Sequence, residues 1–325
     1  MPFQPAILTL NPCVDKNVYL SVPLTPGTIH RVENSVENIA GKGLNQAVVL
    51  ANLGTTADYY SFGSAAGEDA MDAWIKTQHF VYHKTPTHSG IRQNLKIIDQ
   101  NGIGTEINER GGPISADELE QILSSLDAFE GNVLSVCGSI PQGVEKSVYN
   151  LVLTRARRKG MITVLDADGD ALRLGIEARP DYIKPNRREL AGLCGVDEAA
   201  FADEREVLAA ARRIYEQYGT AVICTLDEQG SIYVGREGQW RVGVAKFPLR
   251  GFSGAGDTYL AAFLHARLAE EKSVPDALRF AARASALKSR CPAPSCRPNP
   301  ISIPFPTLRS WSYEGGAVGL CPTPR

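Results

Sequence analysis

Between Asn132 and Thr225 the chain alternates two kinds of segment. Short apolar runs at Asn132-Val133-Leu134-Ser135-Val136, Ile162-Thr163-Val164-Leu165, Asp181-Tyr182-Ile183 and Ala221-Val222-Ile223-Cys224-Thr225 read as buried strands. Around them lie stretches with helical spacing. One is opened by Ser115 with Glu118 three residues on, a capping box; another ends at Arg158; a third covers Glu204 to Tyr218. Strands that follow one another through helices pair in parallel, and each crossover must lie across a sheet face. The alternation therefore predicts an α/β fold with a mainly parallel central sheet and helices on both faces. Polar residues gather just past the strands, at Gly138-Ser139-Ile140-Pro141, Asp166 and Lys184-Pro185-Asn186. The carboxyl ends of parallel strands are where such sheets bind ligands.

The N-terminal part fits the same sheet. Ile7-Leu8-Thr9-Leu10 is a short apolar run ended by Asn11-Pro12, and Asp15 follows, either as a ligand group beyond a central strand or as the start of a turn. Residues 17–37 alternate polar and apolar side chains around Pro23, Pro26 and Gly27, which predicts two or three short strands, a candidate lid. Ala40-Gly41-Lys42-Gly43-Leu44-Asn45 then opens a helix that stops at Gly54. Glycines at a helix entry let a ligand approach the backbone, and Lys42 and Asn45 can donate to its hydroxyls or phosphate. The spacing is not that of a Walker loop. Strands are expected at 57–62 and 90–98, with a helix-like stretch from Glu68 between them. In the second strand Arg92, Asn94 and Lys96 share one face under period two. That face is either solvated or suited to a phosphate, which a guanidinium can grip at two points.

Gly251-Phe252-Ser253-Gly254-Ala255-Gly256-Asp257-Thr258 precedes the apolar run from Tyr259 to Leu264. Small residues opening a helix leave unpaired N–H groups and the positive end of the dipole facing outward, where an anion can sit beside Asp257. A simply capped helix would use the same residues. Asn186 and Glu189 also have two readings. Three apart, they share a helical face and could enter one site, or they cap the helix that they begin. The helix carrying Asp257 should reach about Ala269, and a last amphipathic helix covers Val274 to Lys288.

Composition sets limits. At 325 residues, with 43% hydrophobic and 22% charged, the chain reads as a soluble globular protein. A net charge of −2 gives no electrostatic case for nucleic acid or an anionic membrane, so any bound phosphate must be held locally. The N-terminus lacks the features of a signal peptide and no apolar run approaches bilayer length, so a cytoplasmic protein is expected. The seven cysteines include no C-x-x-C, which suggests neither a disulfide framework nor a zinc site. Cys137 and Cys224, at the ends of apolar runs, read as small core residues. His79, His83 and His88 lie close together without a matching ligand pattern. From Cys291 to Arg325 there are eight of the 20 prolines and no clear period, so an irregular tail is expected.

Taken together, Thr9-Leu10-Asn11-Pro12 with Asp15, Ala40 to Asn45, Arg92 to Lys96, Gly138 to Pro141, Lys184-Pro185-Asn186 with Glu189-Leu190, and Gly254-Ala255-Gly256-Asp257 form a recognisable series. In order and spacing the chain resembles a ribokinase-like sugar kinase of the phosphofructokinase B family, over about residues 6–288. The similarity is strongest to the branch containing 1-phosphofructokinase and tagatose-6-phosphate kinase. The resemblance implies a kinase domain over residues 1–290, a β lid inserted at about 14–38 and 88–108, and an atypical tail over 291–325. It implies that Asp257 is the base that deprotonates the attacking sugar hydroxyl, with Gly254, Ala255 and Gly256 as the backbone anion hole. Asp15, Gly41, Lys42 and Asn45 would hold sugar hydroxyls, Arg92 the phosphate already on the sugar, and Ser139 would line the same side. Lys184, Asn186, Thr225 and Gly230 would line the ATP side, with Asn186 and Glu189 organising Mg2+ through water. The expected reaction is ATP-dependent phosphorylation of a ketohexose phosphate, fructose 1-phosphate before tagatose 6-phosphate, by a homodimer paired through its lid strands. A non-catalytic sugar-phosphate or nucleotide binder is the alternative. A dehydrogenase is disfavoured, because no G-x-G-x-x-G follows the first strand. The chain departs from the family where Asp227 replaces a usual glycine, where Gly251-Phe252 replaces a polar pair, and beyond Lys288.

Overall fold

Pro5–Thr9 (β1) is buried along its whole length, and the sheet is built outward from it on both sides. The computed structural model describes residues 2–67, 70–243, 254–290 and 308–310. Cys13–Tyr19 (β2) and Asn34–Ala40 (β3) leave the main sheet, and Lys42–Asn52 (α1) returns the chain to Asp58–Ser64 (β4). Ala70–Ile75 (α2) leads to Val81–Thr87 (β5), after which Arg92–Ile98 (β6) and Gly104–Asn108 (β7) make a hairpin. The regular alternation follows as Ala116–Asp127 (α3), Val133–Cys137 (β8), Val148–Arg158 (α4), Ile162–Asp166 (β9), Gly169–Gly175 (α5) and Tyr182–Ile183 (β10). It continues with Arg187–Cys194 (α6), Glu204–Tyr218 (α7) and Ala221–Thr225 (β11). A hairpin of Ser231–Gly235 (β12) and Gly238–Val242 (β13) precedes Ala255–Leu264 (α8), Val274–Arg290 (α9) and Leu308–Ser310 (β14). A π-helical turn over His265–Ala269 extends α8 to the expected end.

The main sheet has ten strands in the order β14-β13-β12-β11-β10-β9-β8-β1-β4-β5. Every pair from β5 to β11 is parallel, and β12, β13 and β14 add on antiparallel. The chain leaves β1 first toward β4 and later toward β8, so the carboxyl end of β1 is a topological switch point. Both faces are covered. Ala6 and Leu8 of β1 join the core under α3 to α7, whereas Ile7 joins the core with α1. Val164 of β9 and Ile223 of β11 pack with α8 and α9. Local signals set the helix ends. Ser115 and Glu118 make the capping box at α3, and Gly219, at φ 71, closes α7 in the left-handed region.

The strands β3-β2-β6-β7 form a separate sheet, with β2 and β6 parallel and the outer pairs antiparallel. Its register aligns Asp15 with Asn94 and Asn94 with Asn108, and the next row aligns Asn17, Lys96 and Glu106. Cys13, Asp15, Arg92, Asn94, Lys96, Glu106 and Asn108 therefore share one face, and all seven line the same cleft.

Three features were not expected from the pattern. β5 carries Pro86, which argues against a strand, but β5 is an outermost strand of the sheet and a missing donor costs nothing there. The β12–β13 hairpin was not read either. Within the tail expected to be irregular, Leu308–Ser310 pairs antiparallel with β13. The remainder of 291–325 lies outside the described residues, as do Gly251, Phe252 and Ser253.

Candidate active site

The carboxyl ends of β1, β8, β9, β10 and β11, the entries of α1 and α8 and one face of the small sheet enclose a cleft of about 840 Å³. Every residue expected at the site except Gly230 lines it: Asp15, Gly41, Lys42, Asn45, Arg92, Ser139, Lys184, Asn186, Glu189, Thr225, Gly254, Ala255, Gly256 and Asp257. Gly230 lies behind the wall at φ 109, where a Cβ would come 2.0 Å from the Val242 carbonyl oxygen. Asp227, where the resemblance leads one to expect glycine, holds φ 50, a left-handed backbone that glycine adopts at less cost, and lines the cleft.

Asp257 sits in the first turn of α8, 8% exposed, and accepts a 2.7 Å hydrogen bond from Asn45 Nδ2 across from α1. Gly254, at φ 82, starts the helix without a side-chain cap, so its first N–H groups face the cleft. Burial, and then the charge of Asp166, push the Asp257 carboxyl above its usual value, against the opposing pull of Lys42, Lys184 and the Asn45 bond.

Asp166, at the end of β9, is fully buried between two ammonium groups, Lys42 at 2.9 Å and Lys184 at 3.4 Å. Burial alone would raise its carboxyl, but Lys184 and Lys42 together hold it below the usual range. Lys42 also reaches Glu189 at 3.4 Å, and Asp166, Glu189 and Asp257 overcome burial to hold its ammonium firmly protonated. The expected sugar ligand Lys42 is thus the tie between α1, β9 and α6. Both readings of Asn186 and Glu189 hold at once. They make a reciprocal capping box at 2.8 Å each way, and both face the cleft.

At the other end Asp15 accepts from Lys96 and, at 3.0 Å, from Asn94. Arg92 lies beside it. Its Nε donates to the Asn11 carbonyl at 3.2 Å, and its Nη1 donates to Asn94 Oδ1 at 3.2 Å and to the Glu109 carbonyl at 2.9 Å. Asn11 in turn donates to Ser139 Oγ at 2.9 Å. Cys13 borders this end, but burial and the neighbouring Asp15 push its thiol up to about 12, so it stays protonated.

Sequence reasoning did not assign Asp166, Glu106, Asn108 or Asn11 to the site. Asp166 carried a usable signal, a polar residue ending a buried parallel strand. Glu106 and Asn108 were reachable through Asn101-Gly102, a hairpin dipeptide whose register aligns β7 with β6. Among the described residues no three His, Cys, Asp or Glu side chains are arranged to hold a metal ion, and no helix is long and apolar enough to cross a membrane. Cys137 and Cys224 are buried in the core, and His83 pairs with Asp58 while His88 pairs with Glu118.

A mainly parallel sheet with helices on both faces, a separate small sheet and a helix entrance at the switch point is the ribokinase-like fold. The pfkB family carbohydrate kinase profile matches residues 8–300, and the chain belongs to that family. It is 27% identical over 284 residues to the 1-phosphofructokinase of Escherichia coli strain K12, covering 87% of this chain and 89% of that protein. It is also 27% identical over 282 residues to the D-tagatose-1-phosphate kinase of Klebsiella oxytoca, covering 86% of this chain and 90% of that one. Among solved structures it superposes on Escherichia coli phosphofructokinase-2 in complex with substrates and products. That match has a TM-score of 0.80 at 24% identity, covering 89% of this chain and 93% of the other.

Proposed function

We propose that this kinase transfers the γ-phosphoryl group of ATP to a ketohexose phosphate, fructose 1-phosphate at its 6-hydroxyl. The observation that carries the proposal is Asp257, buried at a glycine-lined helix entrance and held by Asn45 at 2.7 Å, in the same cleft as Arg92. In the reaction the sugar hydroxyl oxygen forms a bond to the γ-phosphorus, the bond from phosphorus to the ADP oxygen breaks, and the hydroxyl proton passes to Asp257. The raised proton affinity of Asp257 suits it to this role. The N–H groups of Gly254, Ala255 and Gly256 oppose the charge that builds on the phosphoryl oxygens, and Lys184 adds a cation there. A Cβ at Gly256 would come within 3.2 Å of Lys184 Nζ, so glycine keeps that ammonium close to the helix entrance.

The nucleotide end suits a magnesium complex of ATP. Asn186 and Glu189 face the cleft there and supply oxygens, the donor class that magnesium prefers. The ion would neutralise phosphate charge and fix the phosphate geometry there. Asp15 accepts from sugar hydroxyls, and Arg92 with Ser139 takes the phosphate that the sugar already carries. The D-tagatose relative is named for a 1-phosphate, which favours a phosphate at carbon 1 over tagatose 6-phosphate as the acceptor. We further propose a homodimer through the small sheet, whose edges and loops expose Ile29, Val32, Val36, Ile103 and Ile107.

A coupled ADP-release assay over phosphorylated and unphosphorylated ketohexoses tests the substrate. Fructose 1-phosphate should give the highest kcat/KM, and unphosphorylated fructose should be poor by several orders of magnitude. ATP and sugar-phosphate binding without ADP release would instead favour the non-catalytic reading.

A further inference from the structure

Two cations on the cleft wall remain without a role, Arg110 just past β7 and Lys146 just before α4. Both are exposed, and among the described residues neither side chain has a hydrogen bond or ion pair. Their loops are fastened to each other and to the Arg92 end of the cleft. Asn11 Nδ2 donates to the Arg110 carbonyl at 3.1 Å and to Ser139 Oγ at 2.9 Å. Gln142 Nε2 donates to the Gly111 carbonyl at 2.7 Å, and the Ile114 amide donates to the Gln142 carbonyl at 2.9 Å. Arg92 reaches the same point from β6, through the carbonyls of Asn11 and Glu109. Three cations from separate segments, Arg92, Arg110 and Lys146, therefore line one cleft with Ser139.

The acids that line the cleft on the small-sheet side are engaged locally, and Asp168 lines it from the main sheet. Asp15 is paired with Lys96, Glu106 stands opposite Lys96 in the β6–β7 register, and Glu109 Oε2 accepts from the Gln93 amide at 2.8 Å. In a chain of net charge −2, two exposed basic side chains without an ion-pair partner among the described residues, on the wall of a cleft beside Arg92, point to an anionic ligand group there. Their loops are tied to Arg92 rather than to the helix entrance of Asp257, so the ligand group assigned here is the one that Arg92 would hold.

We propose that Arg110 and Lys146 join Arg92 as the seat for the acceptor's own phosphate, and that these two side chains set the preference for a phosphomonoester dianion over a neutral sugar. The inference rests on the kinase reading above. Arg92 is held by its backbone partners and provides shape, whereas Arg110 and Lys146 reach from loops and provide charge. Exposed charges of this kind lose strength with salt.

Isothermal titration of the full chain with fructose 1-phosphate, beside steady-state assays, separates the possibilities. Arg110→Ala and Lys146→Ala should each raise Kd and KM for fructose 1-phosphate roughly ten- to a hundredfold, as expected for a lost hydrogen bond to a charged group. The KM for ATP and the kcat should stay within about twofold of wild type, a split that a general loss of structure would not give. Lys146→Arg should restore the affinity, and the double alanine variant should show a shallower dependence of Kd on salt. A double variant that binds fructose 1-phosphate within twofold of wild type, or that loses unphosphorylated fructose equally, would overturn the inference while leaving the kinase reading intact. A wild type that neither binds nor turns over any phosphorylated sugar would overturn the kinase reading itself, and this inference with it.

Discussion

A carboxylate can take a proton from a sugar hydroxyl at neutral pH more readily when its own affinity for protons is raised, provided that it remains mostly ionised. Burial and the Asp166 charge raise the proton affinity of Asp257, against the pull of Lys42, Lys184 and the Asn45 bond. As the proposed base, Asp257 acts in its ionised form, so kcat should increase with pH through its raised value. The acid limb of a kcat profile should then lie above the ordinary aspartate value of about 4. A limb at or below that value would contradict this environment. Asp166 works in the opposite direction. Its folded affinity for protons is depressed, so its contribution to stability is present above the unfolded value and is lost as pH falls through the depressed folded one. Asp166→Ala strands Lys42 and Lys184 without their shared partner and should cost about 3 kcal/mol or more in urea denaturation at neutral pH. The motif around Asp257 was legible because glycines and an acid opening an apolar helix form a local signal. The place of Asp166 past a strand was legible but its pairing was not, because that depends on ammonium groups that arrive from Lys42, 124 residues before it, and from Lys184 just past the next strand.

At the level of the element, α1 shows how packing sets the site. Its entry glycine Gly41, at φ 124, turns the chain, and Gly43 lets the helix lie directly on the sheet. A Cβ at Gly43 would come 2.1 Å from Thr9 Oγ1 and 2.9 Å from both Cys137 Sγ and Ile7 Cγ2. Gly43→Ala should therefore lift α1, costing about 1–3 kcal/mol as overpacking does. Because Lys42 and Asn45 flank it, kcat should fall along with stability. A variant that is destabilised in denaturant titration yet keeps full kcat would show that the position of α1 does not govern the site. The same region shows what periodicity can and cannot convey. The alternation from Asn132 onward gave strands and helices close to their observed bounds, since each strand is buried on both faces and each helix has a clear stop. β5 and the β12–β13 hairpin escaped notice because short strands at the margin of a sheet carry weaker hydrophobic patterning and, in β5, a proline.

For the whole molecule, the sheet supplies the reacting end of the cleft and the small sheet supplies the far wall. Arg92, Asn94 and Lys96 could be placed on one face of a strand from sequence. That the face looks into the cleft, with Asp15 paired to two of those residues, depends on a parallel pairing of β2 and β6 that no local pattern encodes. The exposed apolar residues of that sheet lead to a further expectation. Sedimentation equilibrium at micromolar concentration should show a dimer, and Val36→Asp should shift it toward monomer; a wild type that stays monomeric would rule out pairing through the lid. The account depends above all on Asp257 as the proton acceptor, and the most direct test is to measure kcat for Asp257→Asn together with its Kd for fructose 1-phosphate. The expected result is a fall in kcat of about 10²–10⁴-fold, the usual worth of a general base, with sugar-phosphate affinity within about threefold of wild type. Turnover within tenfold of wild type would contradict it.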